Sequence, residues 1–109
     1  MRPVHPEVGQ VVTVFRSRLR PEAAADYSDD AGRIAALART MPGYVEHKAF
    51  TADDGERVTL VTFADRASHQ GWRDHPEHRA AQRRGLSDYY TEYSIAVGTT
   101  DHAASWTRP

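Results

Sequence analysis

The chain has 109 residues, which most simply makes one small domain, with a thin core of the kind a partner subunit often completes. Its 14 basic and 15 acidic residues give a formal net charge of -1, so no field is available to gather nucleic acid or anionic lipid. Cysteine is absent, which excludes disulfides and thiol chemistry. No apolar run approaches the ~20 residues of a membrane span, and MRPVHPEVG lacks a signal-peptide core, so the sequence reads as a cytoplasmic protein.

In chain order, VVTVF (11–15) is β-branched and aromatic and reads as a strand buried on both faces. A helix opened by Pro21 follows, with Tyr27, Ala31, Ile34, Leu37, Ala38 and Met41 forming one apolar stripe at helical spacing. Pro42-Gly43 stops it as a turn. YVEHKAFT alternates as a second strand, DDG (53–55) is a hairpin signal, and RVTLVTF is the third strand. Asp65 can cap a short helix, RASHQGWRD, and Pro76 opens another running to about Leu86. YYTEYSIAVG (89–98) is the fourth strand, with Tyr89, Tyr93, Ile95 and Val97 on one face and Tyr90 on the other. The turn-like tail TTDHAASWTRP (99–109) carries Trp106 as its candidate docking residue.

The order β-α-β-β-α-β predicts an α+β, ferredoxin-like split βαβ with a four-stranded antiparallel sheet, one domain over residues 1–98 and a tail over 99–109. Such a sheet leaves one face bare. Both registers of the first and third strands are apolar here, with Val12, Val14 and Leu60 set against Val11, Phe15, Val61 and Phe63. A second copy, sheet to sheet, is the economical cover, so the sequence implies a homodimer.

The stretch GWRDHPEHRAAQRRG (71–85) gathers a tryptophan, two histidines and four arginines. At about 100° per residue, Glu77, Arg79, Arg83 and Arg84 fall on one solvated side of the helix. His78, Ala81, Gln82 and Gly85 fall opposite, facing the protein, and the small residues leave room for a ligand or for the sheet. His78 is then a structural histidine bonded to a strand carbonyl, a pocket acid or base, or a metal or haem ligand. Trp72, near His69, lines a pocket mouth or packs in the core, and His75 suits a cap before Pro76. His47 shares a strand face with Val45 and Ala49, in a pocket or at a dimer seam. His75 and His78 have metal-like spacing but no third ligand nearby.

The segment MPGYVEHKAFTADDGERVTLVTFADRASHQGWRDHPEHRAAQRRGLSDYYTEYSI resembles the antibiotic biosynthesis monooxygenase family of dimeric α+β barrels. The resemblance lies in the helix ending in MPGY, the DG hairpin, the strand ending before Asp65, the tryptophan four residues before PEH, and the aromatic strand that follows, and covers about residues 8–98. It implies a ligand pocket in each subunit, between helices and sheet. It also implies a small cofactor-independent monooxygenase of secondary metabolism, taking an aromatic or polyketide-like molecule and dioxygen, in which a deprotonated phenol passes an electron to oxygen. Trp72, His78, Gln82 and His47 are the candidate site residues. A non-catalytic dimeric module for small ligands is one alternative, and a haem-binding or haem-degrading monooxygenase is the other. Relatives that degrade haem use a tryptophan, a first-strand asparagine and an axial histidine. Trp72 matches the first, but the axial position falls on Gln82 and the chain has no asparagine.

Overall fold

The computed structural model describes residues 5–109. Strand β1 (Val11–Leu19) outruns the apolar stretch that predicts it, because it lies in the middle of the sheet and has antiparallel partners on both sides. These are β3 (Arg57–Phe63) and β4 (Tyr90–Thr99), and β2 (Tyr44–Thr51) pairs outside β3, giving the order β2-β3-β1-β4. A 3-10 turn (Pro21–Ala23) leads into α1 (Ala24–Ala38), which crosses from β1 to β2. The second crossover is broken into α2 (Arg66–Arg73), α3 (Pro76–Arg84) and a π-helical turn (Gly85–Tyr89). The fold is the expected ferredoxin-like α+β, four antiparallel strands with three helices.

Pairing decides which residues meet the helices. Val11, Thr13 and Phe15 stand opposite Phe63, Val61 and Thr59 on one side and Thr99, Val97 and Ile95 on the other, so all nine share a face. The core on that face joins Ile34 and Ala38 of α1, Val61 and Phe63 of β3, and Trp72 of α2, with Leu37, Met41, Tyr44 and Ala81 packed around it. Burial of a side chain such as Phe63 stabilises by about 1.5–3 kcal/mol. The α1 stripe falls as its spacing predicts, with Tyr27, Ile34 and Ala38 buried. Across the sheet no helix covers Val12, Val14 and Leu60, and Phe50 stays 47% exposed.

Two readings of the sequence, one on the fourth strand and one on the tail, do not survive in the fold. Tyr90 lies on the helix side with Tyr93, because a β-bulge opposite Arg18 and Leu19, with Thr91 as the extra residue of β4, breaks the two-residue alternation. Its ring sits 5.5 Å from Phe15 and 5.9 Å from Tyr27. Trp106 does not dock the tail within the single chain. It is 72% exposed and packs under the Arg108 guanidinium, 5.0 Å from the ring centre. The base of the tail is held instead by the Thr100 amide donating to the Gln10 carbonyl (2.8 Å) and the Gly9 amide donating to the Thr100 carbonyl (2.9 Å), and His5 meets Ser105 at 2.7 Å.

The turn joining α1 to β2 has Gly43 at φ 79°, and a side-chain carbon built there would overlap Ser68 of α2. Gly43→Ala therefore meets both a left-handed backbone and a steric block. It should lower stability by about 1–3 kcal/mol in urea denaturation, whereas Gly55→Ala, at φ 90° with nothing within 4 Å, should cost less.

Candidate active site

A cleft of about 880 Å³ lies between the helices and the sheet. Thr13, Phe15, Thr59 and Val61 form its floor, and Tyr93, Ile95 and Val97 of β4 extend that floor beyond the cover of any helix, each about half exposed. Ile34, Trp72, His78 and Ala81 face it from the helices. Tyr27, Tyr89 and Tyr90 meet one another edge to face at 5.8–6.5 Å and line it as well. The floor and inner walls are largely apolar and aromatic, and the exposed Gln70, Arg73, Asp74, Arg79, Gln82 and Arg83 make the rim polar and charged.

The two histidines of the cleft, His69 and His78, flank the break between α2 and α3. Asp65 caps α2 by accepting from the Ser68 amide at 2.8 Å, in a capping box. His75 caps α3 with Nδ1 accepting from the Glu77 amide at 3.1 Å, while Pro76 occupies the first turn. The chain turned this way lays the His78 ring on the Trp72 indole, centroids 4.2 Å apart and planes 14° from parallel. His78 Nδ1 lies 3.1 Å from the Trp72 carbonyl oxygen. A carbonyl only accepts, so Nδ1 carries the proton and donates it, and Nε2 of the neutral ring keeps a free lone pair. Burial holds the His78 pKa below the ordinary histidine value; the Trp72 carbonyl opposes that, and the neighbouring His47, His75 and His69 reinforce it. The bond thus goes to a helix carbonyl, not to a strand.

The remaining expected site residues are placed unequally. Trp72 is 3% exposed, with Phe63 stacked 6.3 Å away and His78 over its face, so it seats His78 and offers the cleft little open ring. Gln82 lines the cleft but stands exposed at its rim, because α3 buries no residue fully. His47 lies on the helix-side face opposite Val61, half-buried and outside the cleft lining. Its pKa is lowered by burial and then by Arg39. The room predicted around Gly85 is filled by the sheet: a side-chain carbon there would overlap the Tyr90 ring.

Arg84 is not the solvated charge expected from the helix wheel. Its guanidinium grips Asp30 of α1 through two bonds of 2.8 Å, and Asp30 also takes Arg33 and the Tyr89 hydroxyl (3.2 Å). The Arg84 bonds, above the others, hold the Asp30 pKa down at about 2. Helix periodicity cannot show this, because α1 packs beside the end of α3 only in three dimensions. Arg79 and Arg83 remain exposed, at the cleft rim.

One cleft residue was passed over in the sequence. His69 is 8% exposed, lines the cleft, and makes no side-chain hydrogen bond among the described residues. The signal was present, since the Asp65 cap sets the phase of α2 and places residues 69 and 72 on one face. Among the described residues no group of three histidine or acidic side chains is placed to hold a metal ion, and no helix is long and apolar enough to cross a membrane.

A family model described as antibiotic biosynthesis monooxygenase matches residues 10–84. The uncharacterized protein YqjZ of Bacillus subtilis is 29% identical over 96 residues, covering 88% of this chain and 83% of its own. Among solved structures, Rv0793 from Mycobacterium tuberculosis superposes with a TM-score of 0.79 at 18% identity, over 89% of this chain and 100% of that one. SnoaB, a cofactor-independent oxygenase from Streptomyces nogalater, gives 0.72 at 20% identity over 86% and 95%. At these identities the solved structures show a shared fold.

The titrating groups predict two acid limbs in stability. His47, His69 and His78 all have folded pKa values lowered chiefly by burial. Their contribution is complete above the unfolded histidine value of about 6.5 and is lost as pH falls through the folded values. Asp30, at about 2 when folded, contributes stability that is complete above an unfolded value of roughly 3.9 and is lost as pH falls through the folded one. The urea midpoint should be level from pH 8 to 7, fall below about 6.5, and fall again below about 4. Asp30→Asn should shrink only the lower limb. A midpoint constant from pH 8 to 5 would refute the burial of the three imidazoles.

Proposed function

The chain belongs to the antibiotic biosynthesis monooxygenase family, and on that premise we propose that it is a cofactor-independent monooxygenase of small aromatic, polyketide-like phenols, working as a cytoplasmic homodimer in secondary metabolism. The observation that carries the reading is the His78 ring, stacked on Trp72 with Nδ1–H committed to the Trp72 carbonyl, in an aromatic cleft. Held neutral by burial, its Nε2 is a base poised for a phenol proton. The likeness to SnoaB, itself a cofactor-independent oxygenase, supports the same chemistry.

In this reaction His78 Nε2 takes the phenolic proton of a hydroxyanthrone-type substrate. The substrate reacts as its enol tautomer, in which the former CH2 carbon keeps one hydrogen: the phenolate gives one electron to dioxygen, the radical pair combines at that carbon, and the peroxide oxygen takes the proton back from His78 to form a hydroperoxide. The O–O bond then breaks as the remaining C–H proton leaves. One oxygen atom stays as the new carbonyl and the other departs as water, so R2CH2 and O2 give R2C=O and H2O. The aromatic walls exclude bulk water from the intermediates.

Dioxygen uptake with 1,8-dihydroxyanthrone, with and without haemin, tests this. His78→Ala should cut turnover roughly 10²- to 10⁴-fold with the circular dichroism unchanged, and haemin should add nothing. Turnover equal to wild type in His78→Ala would remove the base from the mechanism. A stoichiometric haem complex with a sharp Soret band would replace it by the haem reading. Ligand binding with no oxygen uptake would favour the binding module.

The dimer rests on the bare sheet face. Val12, Val14, Leu60 and Phe50 form its apolar centre, flanked by the ion pairs Arg16–Glu56 (2.7 Å) and Arg18–Asp54 (2.8 Å). Two such faces together should bury well over ~1,000 Å². Sedimentation should give a dimer at micromolar concentration, and Leu60→Glu should shift it to monomer. A wild-type monomer independent of concentration would exclude the arrangement.

A further inference from the structure

The cleft holds a second imidazole that the proposed mechanism leaves idle. His69 is 8% exposed, and among the described residues neither of its ring nitrogens has a hydrogen-bond partner. The one buried side-chain nitrogen or oxygen atom without any partner among the described residues is Nε of Arg57, so the His69 nitrogens are not sealed inside protein. The volume beside the ring is the cleft that His69 lines. A polar ring so far withdrawn from water takes its hydrogen bond from whatever fills the cavity. His69 lies one helical turn before Trp72, and His78 is stacked on that same indole. Both imidazoles line one cleft, and they differ in state. His78 has its Nδ1 proton committed, so it presents an acceptor. His69 has no committed nitrogen, so it can turn either a donor or an acceptor to a ligand.

Resting on the aromatic-ligand reading above, we propose that His69 is a specificity-determining residue that hydrogen-bonds a second oxygen of the ligand, so that the cleft selects aromatics carrying two separate oxygen functions over those carrying one. A ligand with a single hydroxyl satisfies His78 and strips water from His69 without replacing it. The unpaired imidazole then penalises that ligand, on the order of tenfold or more in affinity.

The test is anaerobic calorimetric titration with 1-naphthol, 1,5-dihydroxynaphthalene and 1,8-dihydroxynaphthalene, the two diols spanning different oxygen spacings. Ring ¹⁵N shifts of labelled histidine are followed in parallel. At least one diol should bind roughly tenfold or more tightly than 1-naphthol, and its binding should move the His69 ring signals. In His69→Leu that preference should vanish, with 1-naphthol bound roughly tenfold more tightly because no imidazole is left unpaired, and His69→Gln should restore part of the preference. If the diol preference persists in His69→Leu, or the probes bind and shift His78 while His69 stays unmoved, this assignment is overturned and the monooxygenase reading stands. If none of the three binds the wild type, this assignment is overturned, and the monooxygenase reading is decided by its own dioxygen-uptake assay. Should His69→Leu fail to fold, the wild-type ¹⁵N shifts decide the matter alone.

Discussion

The contact between His78 and Trp72 depends on more of the chain than any other in the site. It needs Trp72 fixed in the core against Phe63, which β3 supplies, and α2 started in the right phase, which the Asp65–Ser68 capping box supplies. It also needs the chain to break between residues 73 and 76 and restart at an angle, with Pro76 starting α3 and His75 capping it. Only then does the His78 ring come down flat on the indole with a carbonyl in reach. An unbroken helix would place residue 78 six positions, or about 600°, beyond Trp72, well off its face. The two turns of helix separated at Asp74 and His75 are thus what converts an ordinary core tryptophan into the seat of an oriented base.

The far part of the cleft is held by different forces. Asp30, Arg84, Arg33 and Tyr89 tie α1 to the end of α3 by charge-assisted bonds, and the π-helical turn carries Tyr89 and Tyr90 down to the sheet. The bulge at Thr91, opposite Arg18 and Leu19, lets Tyr90 face inward with Tyr93, and Gly85 lacks the side chain that would collide with it. Burial raises the Tyr90 pKa well above the ordinary phenol range, so its hydroxyl stays neutral through the working pH range. One side of the cavity is shaped by stacking and a lone hydrogen bond, the other by ion pairing and aromatic edges.

Elements whose signals are local were legible in the sequence. The strands 44–51 and 57–63 fall where alternation and the DDG turn place them, and the caps Asp65 and His75 follow from residue type and position. The inward course of His78 followed from helix periodicity. What escaped was non-local. The bulge that turned Tyr90 over arises from pairing with β1, the capture of Arg84 arises from a helix more than fifty residues earlier, and the covering of Trp72 needs the angle between two short helices. His69 was legible in principle, and was passed over because a histidine beside a tryptophan looks like a mouth residue until its burial is known.

The chain's two indoles sit in opposite surroundings, and this has an optical consequence. Trp72 is 3% exposed and lies 4.2 Å from an imidazole, while Trp106 is 72% exposed on the tail beneath Arg108. Emission from Trp106 is that of an indole in water, long in wavelength and open to iodide. Trp72 emits at shorter wavelength, is shielded from iodide, and is quenched whenever the ring on its face becomes an imidazolium. The protein thus carries two separable lamps, one lighting the tail and the other dimming with the charge of His78.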